Sequence, residues 1–250
     1  MTIKTVLNYS PNFNPKKRKS NQIKFIIFHY TGMKKESDAI NRLTEIQSEV
    51  SSHYLIKKNG DIITLVPDLY TAWHAGKSSW KNYNFLNQNS IGIEISNPGH
   101  QFNYEKFSKK QIVSLLKLSK FLIKKYKINS KNILGHSDIA PNRKKDPGEK
   151  FPWKYLAKNK ISIWHNLKNK ILKDNRGYEV TNVNQKIFLN NAFKIGYSKK
   201  IPKKISKDKY RGFIIKAFQR RFRQELIDGK IDKECLLISQ NLVKRHVNLS

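Results

Sequence analysis

The sequence predicts an α/β protein in which a mixed central β-sheet is flanked by helices and followed by a small all-α unit. Apolar runs typical of strands occupy the first half, a long amphipathic helix with a capping signal follows them, and the last quarter shows only helical periodicity. The predicted organisation is an irregular lead-in at 1–21, a first domain at 22–171, a linker at 172–184 and a helical domain at 185–250.

Three strands are predicted around residues that could do chemistry. Residues 24–31 contain a continuous apolar run, as expected for a strand buried on both faces, and His29 lies at its C-terminal end. Residues 90–96 alternate, so isoleucines that pack inward leave Glu94 on the opposite face. Residues 132–136 form a short strand that ends at His136.

A hairpin and two helices complete the prediction for the first domain. Residues 53–66 contain two apolar runs joined through Asn59-Gly60, a dipeptide that tolerates the positive φ angles of a tight turn. Ser37 is expected to cap a helix that carries Ile40, Leu43 and Ile46 at helical spacing. A longer helix begins near Ser108, where Gln111 completes a capping box.

The remaining elements are a loop and the C-terminal helices. Residues 137–153 are rich in proline and glycine, which predicts a long surface loop. Apolar residues between Phe213 and Phe222 recur at helical spacing, Asp228-Gly229 predicts a turn, and Asp232 is placed to cap a last helix.

The charge and cysteine content of the chain limit the partners and metal ligands that can be predicted for it. Lys and Arg number 50 against 18 Asp and Glu, a formal net charge of +32 that attracts polyanions. The lysines are spread along the chain and no nucleic-acid-binding motif accompanies them, so we predict no specific nucleic-acid partner. Anionic cell-wall material or lysine-rich usage in the source organism explains the charge equally well. Cys235 is the only cysteine, so any metal must be held by histidine and carboxylate.

Three side chains suggest a metal site. His29 and His136 each close a predicted strand, and Asp146 follows ten residues later in the loop. Two imidazoles and a carboxylate suit a catalytic Zn²⁺ that keeps its fourth position open for water. Spacing alone leaves a second interpretation, in which these histidines are hydrogen-bonded structural residues and Glu94 is a solvated carboxylate.

Five motifs occur in order along the first part of the chain: FHYTG (28–32), SSHYLIKKNGDI (51–62), AWHAG (72–76), SIGIEISN (90–97) and GHSDIAPNRKKDPG (135–148). Together they give the sequence a clear resemblance to the type 2 N-acetylmuramoyl-L-alanine amidases over roughly residues 22–158. The resemblance implies a zinc amidase fold, shared with peptidoglycan-recognition proteins, in which one zinc ion lies in an open groove. It also implies hydrolysis of the amide between N-acetylmuramic acid, or its 1,6-anhydro form, and L-alanine in peptidoglycan or muropeptides.

The same resemblance assigns roles to residues. It implies that His29, His136 and Asp146 bind zinc, that Glu94 is the catalytic acid and base, and that Lys144 stabilises the oxyanion, although the neighbouring residue 143 is also basic.

Four further residues are expected to contact substrate. We expect His74, Trp73, Tyr30 and Asn97 to line the groove and His53 to be structural. Aromatic residues near a strand end are also common in protein cores, which is the alternative for Trp73 and Tyr30.

Four further expectations concern the C-terminal region, the compartment, the oligomeric state and the competing function. Residues 217–222, the Asp228-Gly229 turn and the capped helix after Asp232 resemble, more faintly, a small three-helix peptidoglycan-binding domain; the alternative is a helical cap on the catalytic domain. No apolar signal region or membrane span is evident, which favours the cytoplasm, whereas a wall-binding domain favours the periplasm or envelope. We expect a monomer. A recognition protein that binds muropeptide without cutting it is the competing function.

Overall fold

A computed structural model describes residues 3–247 and confirms the mixed α/β fold. The strands are β1 (Val6–Leu7), β2 (Phe13–Asn14), β3 (Phe25–Tyr30), β4 (Tyr54–Ile56), β5 (Ile62–Thr64), β6 (Thr71–Ala72), β7 (Ser79–Trp80), β8 (Tyr83–Asn84), β9 (Ser90–Ile95) and β10 (Ile133–Gly135). The α-helices are α1 (Glu36–Thr44), α2 (Lys109–Tyr126), α3 (His136–Ile139), α4 (Trp153–Lys158), α5 (Asn169–Asn175), α6 (Asn182–Ile195), α7 (Lys207–Phe222) and α8 (Lys233–His246). Short 3-10 helices lie at Ser20–Gln22, Ile46–Ser48, Leu86–Asn89 and Ser130–Asn132.

The central sheet has six strands in the order β1-β5-β4-β9-β3-β10. The hairpin strands β4 and β5 are antiparallel, and every other neighbouring pair is parallel. The carboxyl ends of β9, β3 and β10 therefore meet at one edge of the sheet, which is where α/β proteins commonly place a functional site.

Both faces of the sheet are covered, as the apolar run in β3 predicts. Ile26 and Phe28 join a buried cluster that includes residues of α2 and α4. Phe25 and Ile27 point the other way and join a cluster that includes residues of α6, α7 and α8. The C-terminal helices therefore form one of the two layers that bury the sheet.

The hairpin and the long helix agree with prediction in their main features. In the turn between β4 and β5 only Gly60 has a positive φ, of 90°, so the turn needs glycine at one position. At the start of α2 the Ser108 hydroxyl accepts a hydrogen bond from the Gln111 backbone N–H, and the Gln111 side chain accepts one from Ser108 N–H, which completes the predicted capping box.

Helix α1 differs from prediction at both ends. It begins at Glu36 with Lys35 at the cap position, because the Ser37 hydroxyl bonds the Asp38 carboxylate rather than a free backbone N–H. It ends at Thr44, and Ile46 lies beyond it in a 3-10 helix with 62% of its surface exposed. Of the three predicted apolar positions, Leu43 is the one that is fully buried.

The prediction of a surface loop at 137–153 is correct in that residues 140–152 form neither helix nor strand, but it is wrong about a surface location for much of this segment. Residues 137–141 and 146–148 are buried, and helix α3 occupies its start. The polar groups of α3 are buried because side chains from the C-terminal region pair with them: the Asp138 carboxylate accepts hydrogen bonds from Tyr197, which follows α6, and from Arg221 of α7. Local composition could not show these long-range partners.

The two stretches predicted as irregular are partly ordered into elements. In the lead-in, β1 pairs with β5 and β2 pairs with β6, while the Arg18 side chain is buried against backbone carbonyls. In the linker, α5 continues to Asn175 and α6 begins at Asn182, so the non-helical connection is shorter than expected.

The C-terminal helices follow the predicted order. Helix α7 carries the apolar positions, Gly229 has a positive φ of 80° in the predicted turn, and the Asp232 carboxylate caps α8 by accepting a hydrogen bond from Cys235 N–H. Across residues 3–247, no helix combines the length and apolar character needed to cross a bilayer.

Candidate metal centre and active site

His29, His136 and Asp146 converge at the carboxyl edge of the sheet. His29 lies near the end of β3, His136 opens α3 directly after β10, and Asp146 comes from the segment beyond α3. The two Nδ1 atoms are 2.9 Å apart, and each lies 3.0 Å from Oδ2 of Asp146. All three side chains are buried. The three atoms could hold a metal ion at a common point.

Hydrogen bonds on the far side of each ring leave the two Nδ1 lone pairs free for a metal. The Ser90 hydroxyl donates to the Leu86 carbonyl, so Ser90 Oγ accepts from His74 Nε2–H at 3.1 Å. His74 Nδ1 is then the acceptor for His29 Nε2–H, at 3.0 Å. His136 Nε2–H donates to the Ala75 carbonyl at 3.2 Å. Such outer hydrogen bonds fix the ring orientation and tautomer of metal-binding histidines.

The electrostatic environment favours a cation in the centre. Burial, and then the neighbouring His136, lower the pKa of His29 to about 4, so the ring is neutral at pH 7. Burial alone would raise the pKa of Asp146, but its contacts with His136 and His29 hold that pKa well below the usual range. Neutral imidazole and ionised carboxylate are the forms that bind a metal.

Glu94 stands beside the metal centre on the neighbouring strand. It is the register partner of His29 across β9 and β3, on the sheet face opposite the buried isoleucines, as predicted. Its Oε2 atom is shielded from solvent and lacks a hydrogen-bond partner among the described residues. Burial, and then the charge of Asp146, raise the pKa of Glu94 to about 8.

The basic residues 143 and 144 have different environments. The Arg143 guanidinium donates hydrogen bonds to the backbone carbonyl oxygens of Ala75 and Lys77. The distance from its Nη2 atom to the Lys77 oxygen is 2.8 Å. Lys144 lines the groove above the metal centre, and its charge lowers the pKa values of both His29 and Glu94. Of these two residues, Lys144 is the one whose charge acts on both His29 and Glu94.

The centre lies in an open groove with a volume of about 420 Å³. Trp73, 38% exposed, and Tyr30 both line it, and the Tyr30 hydroxyl bonds the ring of His100. His74 reaches the groove but is mostly buried behind His29. Asn97 lies outside the groove lining: its side-chain amide donates to the Glu105 carbonyl and its oxygen accepts from Gly99 N–H.

Sequence reasoning missed several residues that shape the site. Ser90 and the Ala75 carbonyl set the tautomers of the cluster, and His100 stacks on Tyr104 at the groove wall, with ring centroids 4.5 Å apart. SIGIEISN contains Ser90, but nothing in that motif shows that its hydroxyl meets a histidine sixteen residues away. His53, predicted to be structural, accepts a hydrogen bond from Gly92 N–H through Nδ1.

This arrangement is suited to one class of chemistry. A metal held by two histidines and an aspartate, beside a carboxylate of raised pKa and an ammonium in an open groove, can activate water against a polarised carbonyl. Fold and site together therefore define an α/β protein whose site is suited to hydrolysis and could hold a metal ion.

Comparisons with known proteins identify the family. Residues 19–149 match Amidase_2, described as N-acetylmuramoyl-L-alanine amidase. The N-acetylmuramoyl-L-alanine amidase AmiD of Escherichia coli K12 is 36% identical over 239 residues, which cover 90% of this chain and 84% of the relative. The 1,6-anhydro-N-acetylmuramyl-L-alanine amidase AmpD of Haemophilus influenzae is 41% identical over 113 residues, 44% of this chain and 59% of the relative.

Solved structures agree over nearly the whole chain. The complex of E. coli AmiD with anhydro-N-acetylmuramic acid-L-Ala-D-gamma-Glu-L-Lys matches with a TM-score of 0.80 at 33% identity and covers 90% of each chain. AmpDh3 of Pseudomonas aeruginosa in complex with anhydromuramic pentapeptide matches with a TM-score of 0.77 at 30% identity and covers 99% of each. The chain belongs to the Amidase_2 family of N-acetylmuramoyl-L-alanine amidases.

Proposed function

We propose that this protein is a zinc-dependent amidase that cleaves the bond between the lactyl group of 1,6-anhydro-N-acetylmuramic acid and L-alanine in released muropeptides. The observation that carries the proposal is the convergence of His29 Nδ1, His136 Nδ1 and Asp146 Oδ2, 2.9–3.0 Å apart, next to the unpaired carboxylate oxygen of Glu94.

Zinc fits the donor set. Two imidazole nitrogens and one carboxylate oxygen form the kind of three-ligand set that catalytic zinc uses, and atoms spaced about 3 Å apart can all lie roughly 2.0–2.2 Å from one point. When bound, the ion supplies Lewis acidity, which makes a water molecule more acidic and polarises a carbonyl. His29, His136 and Asp146 would be its ligands.

Glu94 would move the protons of the reaction. Its raised pKa suits a group that takes a proton from the attacking water and then delivers it to the departing alanine nitrogen. That second transfer is required because an amide anion is a poor leaving group. The absence of a partner at Oε2 among residues 3–247 leaves this oxygen available to a water or a substrate nitrogen.

Lys144 would stabilise the oxyanion of the tetrahedral intermediate. Its influence on the pKa values of Glu94 and His29 indicates that its charge lies near the reacting groups, while Arg143 is occupied by backbone carbonyls. Trp73 and Tyr30 would contact the sugar or the peptide from the groove wall. The buried amide of Asn97 would instead hold the loop after β9 in place.

The choice of substrate form rests on the relatives. The complexes of AmiD and AmpDh3 contain anhydromuramyl peptides, and both structures match this chain over nine-tenths or more of its length. An open groove is compatible with larger substrates as well, so cleavage of intact sacculi is the second candidate.

Metal removal and replacement test this proposal. The protein is stripped with a chelator, and peptide release from anhydromuropeptide and from intact sacculi is then measured with and without one equivalent of Zn²⁺. We expect the stripped protein to be inactive, zinc to restore cleavage, and the anhydromuropeptide to be cut faster. A protein that binds the muropeptide but cleaves neither substrate with zinc present would instead be a recognition module.

A further inference from the structure

The position of helix α3 determines where two of the three proposed zinc ligands lie. It carries His136 at its first position, and Ser137 N–H donates to the backbone carbonyl of Asp146 at 2.8 Å. A shift of α3 would therefore move His136 and Asp146 together. Because α3 has only four residues, it cannot maintain its orientation by itself, and that orientation must be set by neighbouring parts of the fold.

The Asp138 carboxylate is the group through which α3 is held. Its Oδ2 accepts from Gly135 N–H at 2.8 Å, which closes the first turn, and from Arg221 Nη1 at 2.7 Å. Its Oδ1 accepts from the Tyr197 hydroxyl at 2.8 Å. Asp138 and Arg221 are each 1% exposed, so water does not compete for these bonds.

Arg221 is itself fixed against the sheet. Its Nη2 donates to the Ile133 carbonyl of β10 at 2.9 Å, and its guanidinium carbon lies 4.6 Å from the ring centroid of Trp153. One planar guanidinium thus joins β10 to α3, a geometry that the single ammonium of lysine cannot reproduce. Tyr197 and Arg221 both belong to the C-terminal helical region, and neither lines the groove.

We propose that Tyr197 and Arg221 are positioning residues for the metal centre, which hold His136 and Asp146 in the metal-binding arrangement through the carboxylate of Asp138. The inference rests on the proposed function, in that the centre must bind zinc. It assigns the C-terminal helices a role inside the catalytic mechanism: they complete the support of the zinc site.

The Tyr197→Phe variant tests the inference with minimal disturbance, because it removes one hydroxyl and keeps the ring. Tyr210→Phe is the matched control, since the Tyr210 hydroxyl lies in the same helical region and donates to the Ser198 carbonyl. Zinc affinity of the stripped proteins is measured by competition with a chromophoric chelator, together with kcat, KM and unfolding by urea. We expect Tyr197→Phe to bind zinc about tenfold more weakly and to lose kcat with unchanged KM, while Tyr210→Phe keeps wild-type zinc affinity.

A second pair of variants tests the guanidinium. Arg221→Lys keeps the charge but cannot bond both Asp138 and Ile133, whereas Arg223→Lys alters an equally buried arginine that pairs with Asp232 and Asp228. We expect only Arg221→Lys to weaken zinc binding beyond its effect on stability. Equal zinc affinity in wild type, Tyr197→Phe and Arg221→Lys would overturn the positioning role. Failure of the wild type itself to bind zinc would overturn the proposed function instead.

Discussion

At the scale of single residues, the surroundings of Glu94 disfavour the charged form of its carboxylate. Its Oε2 is buried with no hydrogen-bond partner in the described part of the chain, and an unsatisfied buried oxygen destabilises a fold. Groups kept in such surroundings are frequently functional, because the same burial raises the pKa toward the working pH. The position of Glu94 next to His29 gives this buried carboxylate a functional explanation.

The buried carboxylate of Glu94 predicts that the metal-free wild type and a metal-free Glu94→Gln variant differ in stability by an amount that depends on pH. The folded-state pKa of Glu94, about 8, lies above its ordinary value of 4.5, so its contribution to stability is fully present below pH 4.5 and is lost as the pH rises through 8. The Glu94→Gln side chain stays neutral throughout. We expect the metal-free variant to be more stable than the metal-free wild type by about 2 kcal/mol at pH 9. This difference is smaller than the shift in the pKa of Glu94 implies, because part of the side chain faces the groove. Urea denaturation at pH 5 and pH 9 measures it; a difference that does not grow with pH would contradict the burial of this charge.

Lys144 and Lys145 provide a test of the oxyanion role at adjacent positions. Lys145 also lines the groove but is exposed, whereas the charge of Lys144 acts on Glu94 and His29. We expect Lys144→Ala to lower kcat by roughly 10²–10³-fold, the usual effect of losing one oxyanion donor, and Lys145→Ala to stay near the wild-type rate. Steady-state kinetics at saturating zinc provide the measurement, and equal rates for the two variants would exclude Lys144 from this role.

The residues of the site were predictable to different degrees. His29, Glu94 and His136 lie at or near strand ends, so their convergence follows from the parallel order of the strands, and motif resemblance adds Asp146. The setting of His74 could not be predicted. Its partners are His29, 45 residues away, and Ser90, 16 residues away, and only the folded chain shows which nitrogen each one meets.

At the scale of elements, β9 needs glycine at one position because a histidine packs directly on the strand. A Cβ atom on Gly92 would lie 2.4 Å from Cγ of His74, well inside van der Waals contact. We expect Gly92→Ala to displace His74, and through it His29, with a loss of about 1–3 kcal/mol in stability and weaker zinc binding.

A glycine with free space around it provides the control. Apart from the backbone of α7 itself, no atom of residues 3–247 lies within 4 Å of a Cβ built on Gly212, so Gly212→Ala should leave zinc binding unchanged and stabilise the helix slightly. Thermal unfolding and chelator competition on both variants compare the two positions. Wild-type zinc affinity in Gly92→Ala would show that His74 does not position His29.

Elements were predicted correctly where their periodicity and caps are visible in adjacent residues. Prediction failed where a segment is buried by residues that are distant in the sequence. The run of β3, the alternation of β9 and the capping box of α2 are all present in adjacent residues. Residues 137–153 look like a surface loop because their proline and glycine content is local, whereas the groups that bury α3 come from Tyr197 and Arg221.

At the scale of the whole molecule, the C-terminal helices are a structural layer of the fold. Phe25, Ile27 and Leu134 of the sheet share one buried cluster with Phe188 of α6 and Phe218 of α7. Whether this region also binds wall polymer stays a prediction, as do the domain boundaries, the monomeric state and the compartment. The predicted lack of a specific nucleic-acid partner for the +32 charge also stays a prediction.

Removing the C-terminal helices tests whether they are a structural layer of the fold. A chain that ends at residue 180 would expose the apolar face beneath α6–α8, so we expect it to aggregate or to lack a cooperative unfolding transition. Solubility and thermal unfolding by circular dichroism are the measurements. A soluble truncated chain that binds zinc and cleaves muropeptide would show that the C-terminal helices are dispensable for both fold and site.

The most direct test of the account is the Glu94→Gln variant, assayed for bound zinc and for cleavage of anhydromuropeptide in the same preparation. Because Glu94 is not among the three proposed zinc ligands, we expect one zinc per chain in both wild type and variant, with cleavage reduced by at least about 10²-fold in the variant. Cleavage at the wild-type rate by the zinc-loaded variant would contradict the assignment of Glu94 as the group that moves the protons.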